Sequence, residues 1–276
     1  MLVGKCFPFQ IIQRSITLLT ANHIRVHNHN NEEGKNVDEL LRPDILLSEE
    51  NKLRSIQCME KSTPVGLRSS KTTREKTFAA VLICLCTNER KEISILYTRR
   101  SGRLSRHVRQ ISFPGKPVKF VVVFSCYTLL YPGGIKDPED ADFIDCALRE
   151  TEEEIGLPRR RINVWGTGNL ISPPNTAAIM PVVGTVENFT LKELKLNEDE
   201  VEEALVIPIK ELVHPKTIKH TQFKSGWSTP NFVVGQNKVW GITGFITNTF
   251  LQCLIPTDLK RLKHHVKYIR PFKIKH

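Results

Sequence analysis

Ahead of residue 75 the apolar positions are scattered and follow no sustained period; beyond it they become dense and ordered. Residues 77–86 (TFAAVLICLC) and 93–98 (ISILYT) are near-continuous apolar runs on either side of the polar stretch 87–91, a pattern that predicts two buried strands joined by a turn. The period then changes. Ile144, Leu148, Thr151 and Ile155 recur at helical spacing and predict a packing stripe. Asp137 suits the cap of that helix, Pro138 its first position, and Glu139 and Asp140 the positive end of its dipole. Gly156, with Pro158 beyond it, suits the stop. Further strands are predicted over 162–165, 179–186 and 204–207, and further helices over 241–254 and 257–268. Mixed strands and helices without an internal repeat predict one layered α/β (α+β) domain over residues 75–256. Residues 32–74 read as a polar linker with a short helical candidate at 37–41, and 257–276 as a basic helical tail.

The chain has 276 residues, and its 40 Lys and Arg against 29 Asp and Glu give a formal charge of +11. That bias favours an anionic partner (a phosphorylated metabolite, a nucleic acid or an acidic membrane surface) without choosing among them. The basic stretch 260–270 lacks any zinc, RNA-recognition or helix-turn-helix pattern, so a solvated helix is expected there and no specific nucleic acid. No apolar run reaches the roughly 18 residues a membrane span needs. The seven cysteines are odd in number and lack zinc-ligand spacing, which predicts buried thiols and a reducing compartment. Residues 1–31 contain no acid, while Lys5, Arg14 and Arg25 interleave with apolar and hydroxyl residues. Such a leader resembles a mitochondrial transit peptide, with cytoplasmic or peroxisomal residence as the alternatives. The final residues, Lys273-Ile274-Lys275-His276, are not the peroxisomal Ser-Lys-Leu address.

The predicted helix carries the candidate chemistry. Glu150, Glu153 and Glu154 are related by i, i+3 and i+4, which gathers three carboxylates along one flank. Their arc lies away from the apolar stripe, so burial is not required of them. Like charges at this spacing cost a few tenths of a kcal/mol each, a cost that a hard divalent cation removes. Alone, the cluster would read as a solvated acidic face; Arg149 before it, Gly156-Leu157 after it and a glycine pair upstream set it apart.

Residues 149–157 resemble the Nudix box, whose core is R-E-apolar-x-E-E-x-G-apolar, with Thr151 where an aliphatic is usual. Upstream, Asp140 stands where the family has Glu, and the path from Gly134 to Arg149 is one residue longer. That expansion is similar to the coenzyme A pyrophosphatase branch. So is Arg100-Ser101-Gly102-Arg103-Leu104-Ser105-Arg106-His107-Val108-Arg109-Gln110-Ile111-Ser112-Phe113-Pro114-Gly115, in which Arg109 replaces a family glycine. The resemblance extends over about residues 75–255. It implies a Nudix-type α/β/α sandwich with a mixed sheet, and metal-dependent attack of water on the diphosphate of coenzyme A or an acyl-CoA. By that resemblance Glu150, Glu153 and Glu154 hold Mg²⁺ or Mn²⁺, and Glu150, Glu153 and Arg149 serve catalysis. One of the box acids, or Glu200 from another loop, orients the water. Arg100, Ser101, Arg103, Arg106, His107 and Gly134 are the implied substrate-binding set.

The family's Phe-Pro-Gly-Gly is split here. Phe113-Pro114-Gly115 is followed by the apolar segment 116–133 before Gly134 resumes the motif, and deleting that segment restores the frame. The codons available to Pro114-Gly115-Lys116 and to Pro132-Gly133 permit splice-donor-like and acceptor-like sequences. The segment therefore reads as a retained intron, the alternative being a genuine insert that adds a strand or loop. Separating the glycines predicts a weak or inactive enzyme. Three other functions stay open at this level: a Nudix hydrolase for another nucleoside diphosphate or a capped RNA, a silent paralogue that binds coenzyme A, and a basic nucleic-acid-binding module.

Overall fold

The structure is a computed structural model that describes residues 37–62, 78–105, 107–115, 117–118, 140–172, 177–222 and 228–256. The transit-peptide leader, the tail helix, Arg106, Gly134 and the expected helix start at 137–139 lie outside those residues. Among the described residues no helix is long and apolar enough to cross a membrane.

Two short helices, α1 (Val37–Leu40) and α2 (Pro43–Leu46), lead into α3 (Glu49–Lys61). The strands β1 (Phe78–Thr87) and β2 (Ile93–Arg100) form the predicted antiparallel pair, followed by β3 (Ile111–Ser112) and β4 (Pro117–Val118). Then come the carboxylate helix α4 (Phe143–Ile155), β5 (Ile162–Thr167), β6 (Ala178–Val186) and β7 (Val201–Pro208). The chain continues through α5 (Ile209–Leu212), β8 (Ile218–Gln222), β9 (Ser228–Val234), β10 (Asn237–Val239) and α6 (Gly241–Leu254).

Seven strands form a mixed sheet in the order β3-β2-β1-β6-β5, with β7 on β2 and β4 on β1. The central pair β1–β6 is parallel and the rest of the pairs are antiparallel. Both faces of β1 are covered, which explains its unbroken apolar reading. Phe78, Ala80, Leu82, Cys84 and Cys86 face α4 through Cys146, Ala147 and Ile155. Ile83 and Leu85 face the opposite layer, where Phe250, Leu251 and Leu254 of α6 meet Ile56 and Met59 of α3. The α/β/α sandwich expected from the sequence is present.

The expected linker 32–74 is corrected by α3, which is part of the fold. Ser48 caps it by accepting from the Asn51 N–H at 3.2 Å. Its buried polar residues do structural work that a hydropathy pattern cannot signal: the Asn51 amide donates to Leu46 O and Leu254 O, each at 3.0 Å. Arg54 donates to Leu254 O at 2.8 Å and Ser55 to Cys253 O at 3.3 Å. A helix leaves its last carbonyls without intrahelical partners, and α3 supplies donors for those of α6.

The expectation of free thiols holds for Cys84, Cys86 and Cys146, all buried, and fails for Cys58 and Cys253, which form a disulfide between α3 and α6. Sequence gave no sign of this pairing, because it joins residues 195 apart. Closing so long a loop restricts the unfolded chain, so Cys58→Ser is expected to lower stability by about 2–4 kcal/mol. In thermal melts a reductant should lower the parent's midpoint and leave the variant's unchanged.

Two further differences concern α4 and the second half of the domain. The cap of α4 is Asp142, whose side chain accepts from the Asp145 N–H at 2.8 Å, rather than Asp137. Asp140 precedes the helix and is spent on another bond, described below. The small sheet β10-β9-β8 was missed, because its strands mix Lys, His, Thr and Asn with few apolar positions.

Candidate active site

Helix α4 ends at Gly156, whose φ of 70° is left-handed and whose N–H donates to Glu152 O at 2.8 Å. The loop 194–197 closes over this end: Lys195 N–H donates to Ile155 O and Asn197 N–H to Glu154 O, both at 2.9 Å. A Cβ on Gly156 would lie 2.8 Å from the Lys195 Cβ, so this close approach needs glycine. Helix and loop are thereby fixed to one another, just ahead of the acidic stretch Glu198-Asp199-Glu200.

The three box carboxylates do not share one environment. Glu150 and Glu154, a turn apart, are 5% and 3% exposed, whereas Glu153 is exposed. The shared flank did not require burial of any of the three, yet two of them are buried, and Glu153 turns back to Arg149 at 3.1 Å. The Gly115 N–H donates to Glu154 Oε2 at 3.2 Å, so the first glycine of the split motif reaches the carboxylate. Gly115 has a φ of 137°, and a Cβ there would sit 2.2 Å from Ala80 O. The Leu82 N–H, donating to Pro114 O at 3.0 Å, pins the same turn to β1. The segment 116–133 begins as β4 on the end of β1, with Pro117 beside Ala79 and Val118 beside Phe78. Residues 119–133 lie outside the described part.

Arg149 and Asp140 hold this arrangement. Arg149 donates from Nε and Nη2 to the two oxygens of Asp140 at 2.7 and 2.9 Å, a fork-on-fork pair, while Nη1 lies 2.9 Å from Glu150 Oε1. Asp140 is 2% exposed, and the Arg149 hydrogen bonds hold its carboxyl below the ordinary carboxylate range. The sequence offered Asp140 as a first-turn acid and as the residue at the family's upstream Glu position, not as the partner of Arg149. Asp140→Asn exchanges two charge-assisted bonds for weaker neutral ones, while Glu150 and Glu153 still compensate the guanidinium, so a cost of about 1–3 kcal/mol at neutral pH is expected. Because the folded-state pKa is depressed, this contribution is present above the unfolded value and is lost as pH falls through the folded one. Denaturant titrations of parent and variant should therefore converge in acid.

The carboxyl of Glu154 is pushed up to about 8, first by burial and then by the neighbouring charges of Glu200 and Glu150. A buried carboxyl that parts with its proton so reluctantly, beside other acids, would exchange that proton for a hard, oxygen-seeking divalent cation. The donor set fits one on chemical grounds, with Glu150 and Glu154 as its protein oxygens. Among the described residues, no three His, Cys, Asp or Glu side chains are gathered as a complete metal-binding group.

The basic motif is less uniform than its sequence implies. Arg100 lies close enough to Glu154 for its charge to act on that carboxyl, and its Nε has no hydrogen-bond partner among the described residues. Arg103 is engaged with Asp199 at 2.8 Å, and the Ser101 hydroxyl donates to Glu198 O at 2.8 Å. His107 is exposed, 3.1 Å from Gln110 Oε1. His107 and Arg109 both have a φ of 55°, the left-handed region a glycine adopts freely. Replacement of the family glycine by Arg109 therefore keeps the turn at a cost of about 1–2 kcal/mol.

The chain folds as a layered α/β protein in which one acidic helix faces a glycine turn. The NUDIX domain family matches residues 76–226, and the chain belongs to that family, whose members hydrolyse diphosphate bonds. The mitochondrial coenzyme A diphosphatase NUDT8 of Homo sapiens is 36% identical over 183 residues, 64% of this chain and 70% of that protein. Its Mus musculus counterpart is 34% identical over 215 residues, 76% of this chain and 90% of that one. An uncharacterized Nudix hydrolase, NudL of Yersinia enterocolitica, is 30% identical over 185 residues, 63% of this chain and 80% of its own.

Proposed function

We propose that the chain is a divalent-metal-dependent diphosphatase acting on coenzyme A and acyl-CoA. Water attacks one phosphorus of the diphosphate, releasing 4′-phosphopantetheine, or its acyl form, and adenosine 3′,5′-bisphosphate. The observation that carries this reading is the buried pair Glu150 and Glu154, held by Arg149 on one side and by the Gly115 N–H on the other. The named activity of the NUDT8 relatives and the Arg100–Gly115 motif support the substrate. Their name and the acid-free leader support a mitochondrial location.

Mg²⁺ or Mn²⁺ bound by Glu150 and Glu154 would neutralise diphosphate oxygens and make a nearby water more acidic. Glu153, the third box acid of the proposed set, holds Arg149 through both of its oxygens. Glu200, whose charge helps to raise the Glu154 carboxyl, is the acid we assign to orienting or deprotonating the attacking water, the box acids being the alternative. Arg100 supplies a guanidinium fork to the phosphate oxygens, and Arg149 fixes the rotamer of Glu150. Arg106 and Gly134 complete the proposed substrate set outside the described residues.

Chromatography of products from coenzyme A, ADP-ribose, NADH and capped RNA, each with Mg²⁺ and with Mn²⁺, tests the assignment. Adenosine 3′,5′-bisphosphate from coenzyme A is the expected result; preferential cleavage of one of the other three would overturn it.

A further inference from the structure

The motif Arg100-Ser101-Gly102-Arg103 resembles a substrate-binding signature, yet two of its side chains are spent on the protein itself. The Ser101 residue is 4% exposed and bonds the acidic loop twice: its N–H donates to Glu200 O at 2.9 Å and its hydroxyl to Glu198 O at 2.8 Å. The same hydroxyl accepts from the Arg103 N–H at 3.3 Å. Arg103 then meets the loop from outside, at 2.8 Å from Asp199 and 3.9 Å from Glu198. The other end of this loop is fixed as well. Glu200 N–H donates to Asn197 O, and Asn197 N–H to Glu154 O, both at 2.9 Å. Glu200 thus hangs on a short span anchored to the carboxylate helix through Asn197 and to the end of β2 through Ser101.

A regular ladder alone does not require this. The β2–β7 register slips between Arg99 and Arg100, where Arg100 pairs with Val201, so continued pairing beyond the bulge depends on local bonds. Ser101 supplies them at the point where the loop must deliver Glu200.

We propose that Ser101, reinforced by Arg103, is a positioning residue that holds Glu200 in place beside the Glu150–Glu154 pair, rather than a residue that touches substrate. The proposal rests on the reading of Glu200 as part of the catalytic centre, where its negative charge, which acts on Glu154, would also draw the cation to the pair. The Ser101 hydroxyl orients the Glu198 carbonyl and its N–H the Glu200 carbonyl, and the Glu200 carboxylate follows the backbone; Ser101→Ala removes the first of these bonds and keeps the second. Side chains that orient a metal or catalytic carboxylate from behind change metal affinity or activity by about 10–100-fold when removed.

The test is a double-mutant cycle on the full chain, comparing Ser101→Ala and Glu200→Gln singly and together. Steady-state hydrolysis of coenzyme A gives one readout, and Mn²⁺ affinity from electron paramagnetic resonance the other. Ser101→Ala is expected to lower kcat and to weaken Mn²⁺ binding, each by about tenfold, with KM changed less than about twofold. In the Glu200→Gln background the same change should have no further effect on either quantity, because the group it positions is gone. A raised KM at unchanged kcat would show Ser101 on the substrate and overturn the proposal. Equal losses in both backgrounds would also overturn it, by showing a general loss of structure. If Ser101→Ala does not fold, Arg103→Glu replaces it: the site is exposed, and the reversed charge repels Asp199 and Glu198. About a threefold loss that vanishes with Glu200→Gln is then expected. Absence of coenzyme A turnover in the parent would count against the substrate assignment alone, and the Mn²⁺ cycle would still decide the role of Ser101.

Discussion

Replacing Glu154 with Gln is expected to cut diphosphate hydrolysis by about 10³-fold while making the metal-free protein harder to unfold above pH 8. Both effects come from one placement. The carboxyl is 3% exposed and its pKa is raised to about 8, first by burial and then by Glu200 and Glu150. A raised carboxyl pKa means that the folded state holds the proton more tightly than the unfolded chain does. The native state therefore bears no penalty below the unfolded value near 4.5, an increasing one as pH climbs towards 8, and the full one beyond. The neutral amide keeps the shape and removes that penalty, on the order of 2–5 kcal/mol at pH 9. Turnover falls because the variant also loses an anionic oxygen ligand, and metal assistance contributes several kcal/mol, with each 1.4 kcal/mol worth a factor of ten. Urea titrations at pH 5 and pH 9 without metal check the first part. A variant less stable than the parent at pH 9 would refute it.

Gly115→Ala is expected to lower the thermal midpoint by roughly 6–15 °C and to remove activity together with it. The added methyl would sit 2.2 Å from Ala80 O and 2.9 Å from the Val81 Cα, both backbone atoms of the central strand. Neither can retreat without disturbing the β1–β6 ladder, and a φ of 137° is strained for any side chain. Relief requires moving the 113–115 turn, which takes the Gly115 N–H off Glu154 and the Pro114 carbonyl off the Leu82 N–H. Strain and lost bonds together amount to about 3–5 kcal/mol, at a few degrees per kcal/mol for a chain of this size. Scanning calorimetry of the parent and variant reads the shift directly, and an unchanged midpoint would mean the turn is not held as described.

Much of this site can be read from the sequence because its positions carry unusual chemistry in a fixed spacing. Arg149, Glu150 and Glu154 belong to one helix, and helical geometry alone brings them onto neighbouring turns. Burial escaped the reading, since it depends on what the sheet and the 194–197 loop lay over the helix. Asp140 was legible as an acid but not as the partner of Arg149, and Asp142 took the capping role assigned to Asp137. Ser101 and Arg103 were noticed through a motif, whereas their bonds run to residues 198–200, a relation no local pattern contains. Helix α6 was bounded correctly over Gly241–Leu254 because its apolar residues run densely to a clear end. Helix α3 was missed because its buried face includes Asn51 and Ser55, chosen for the carbonyls they meet. The α3–α6 disulfide and the β8–β10 sheet were hidden for the same reason: their partners are distant in sequence or their surfaces only half apolar.

Isothermal titration of Mn²⁺ into the full chain and into its Glu150→Gln/Glu154→Gln variant tests the central claim most directly. The account predicts one saturable site in the parent and a loss of affinity of at least about 100-fold in the variant, with the melting transition intact. Equal Mn²⁺ affinity in the two proteins would contradict it.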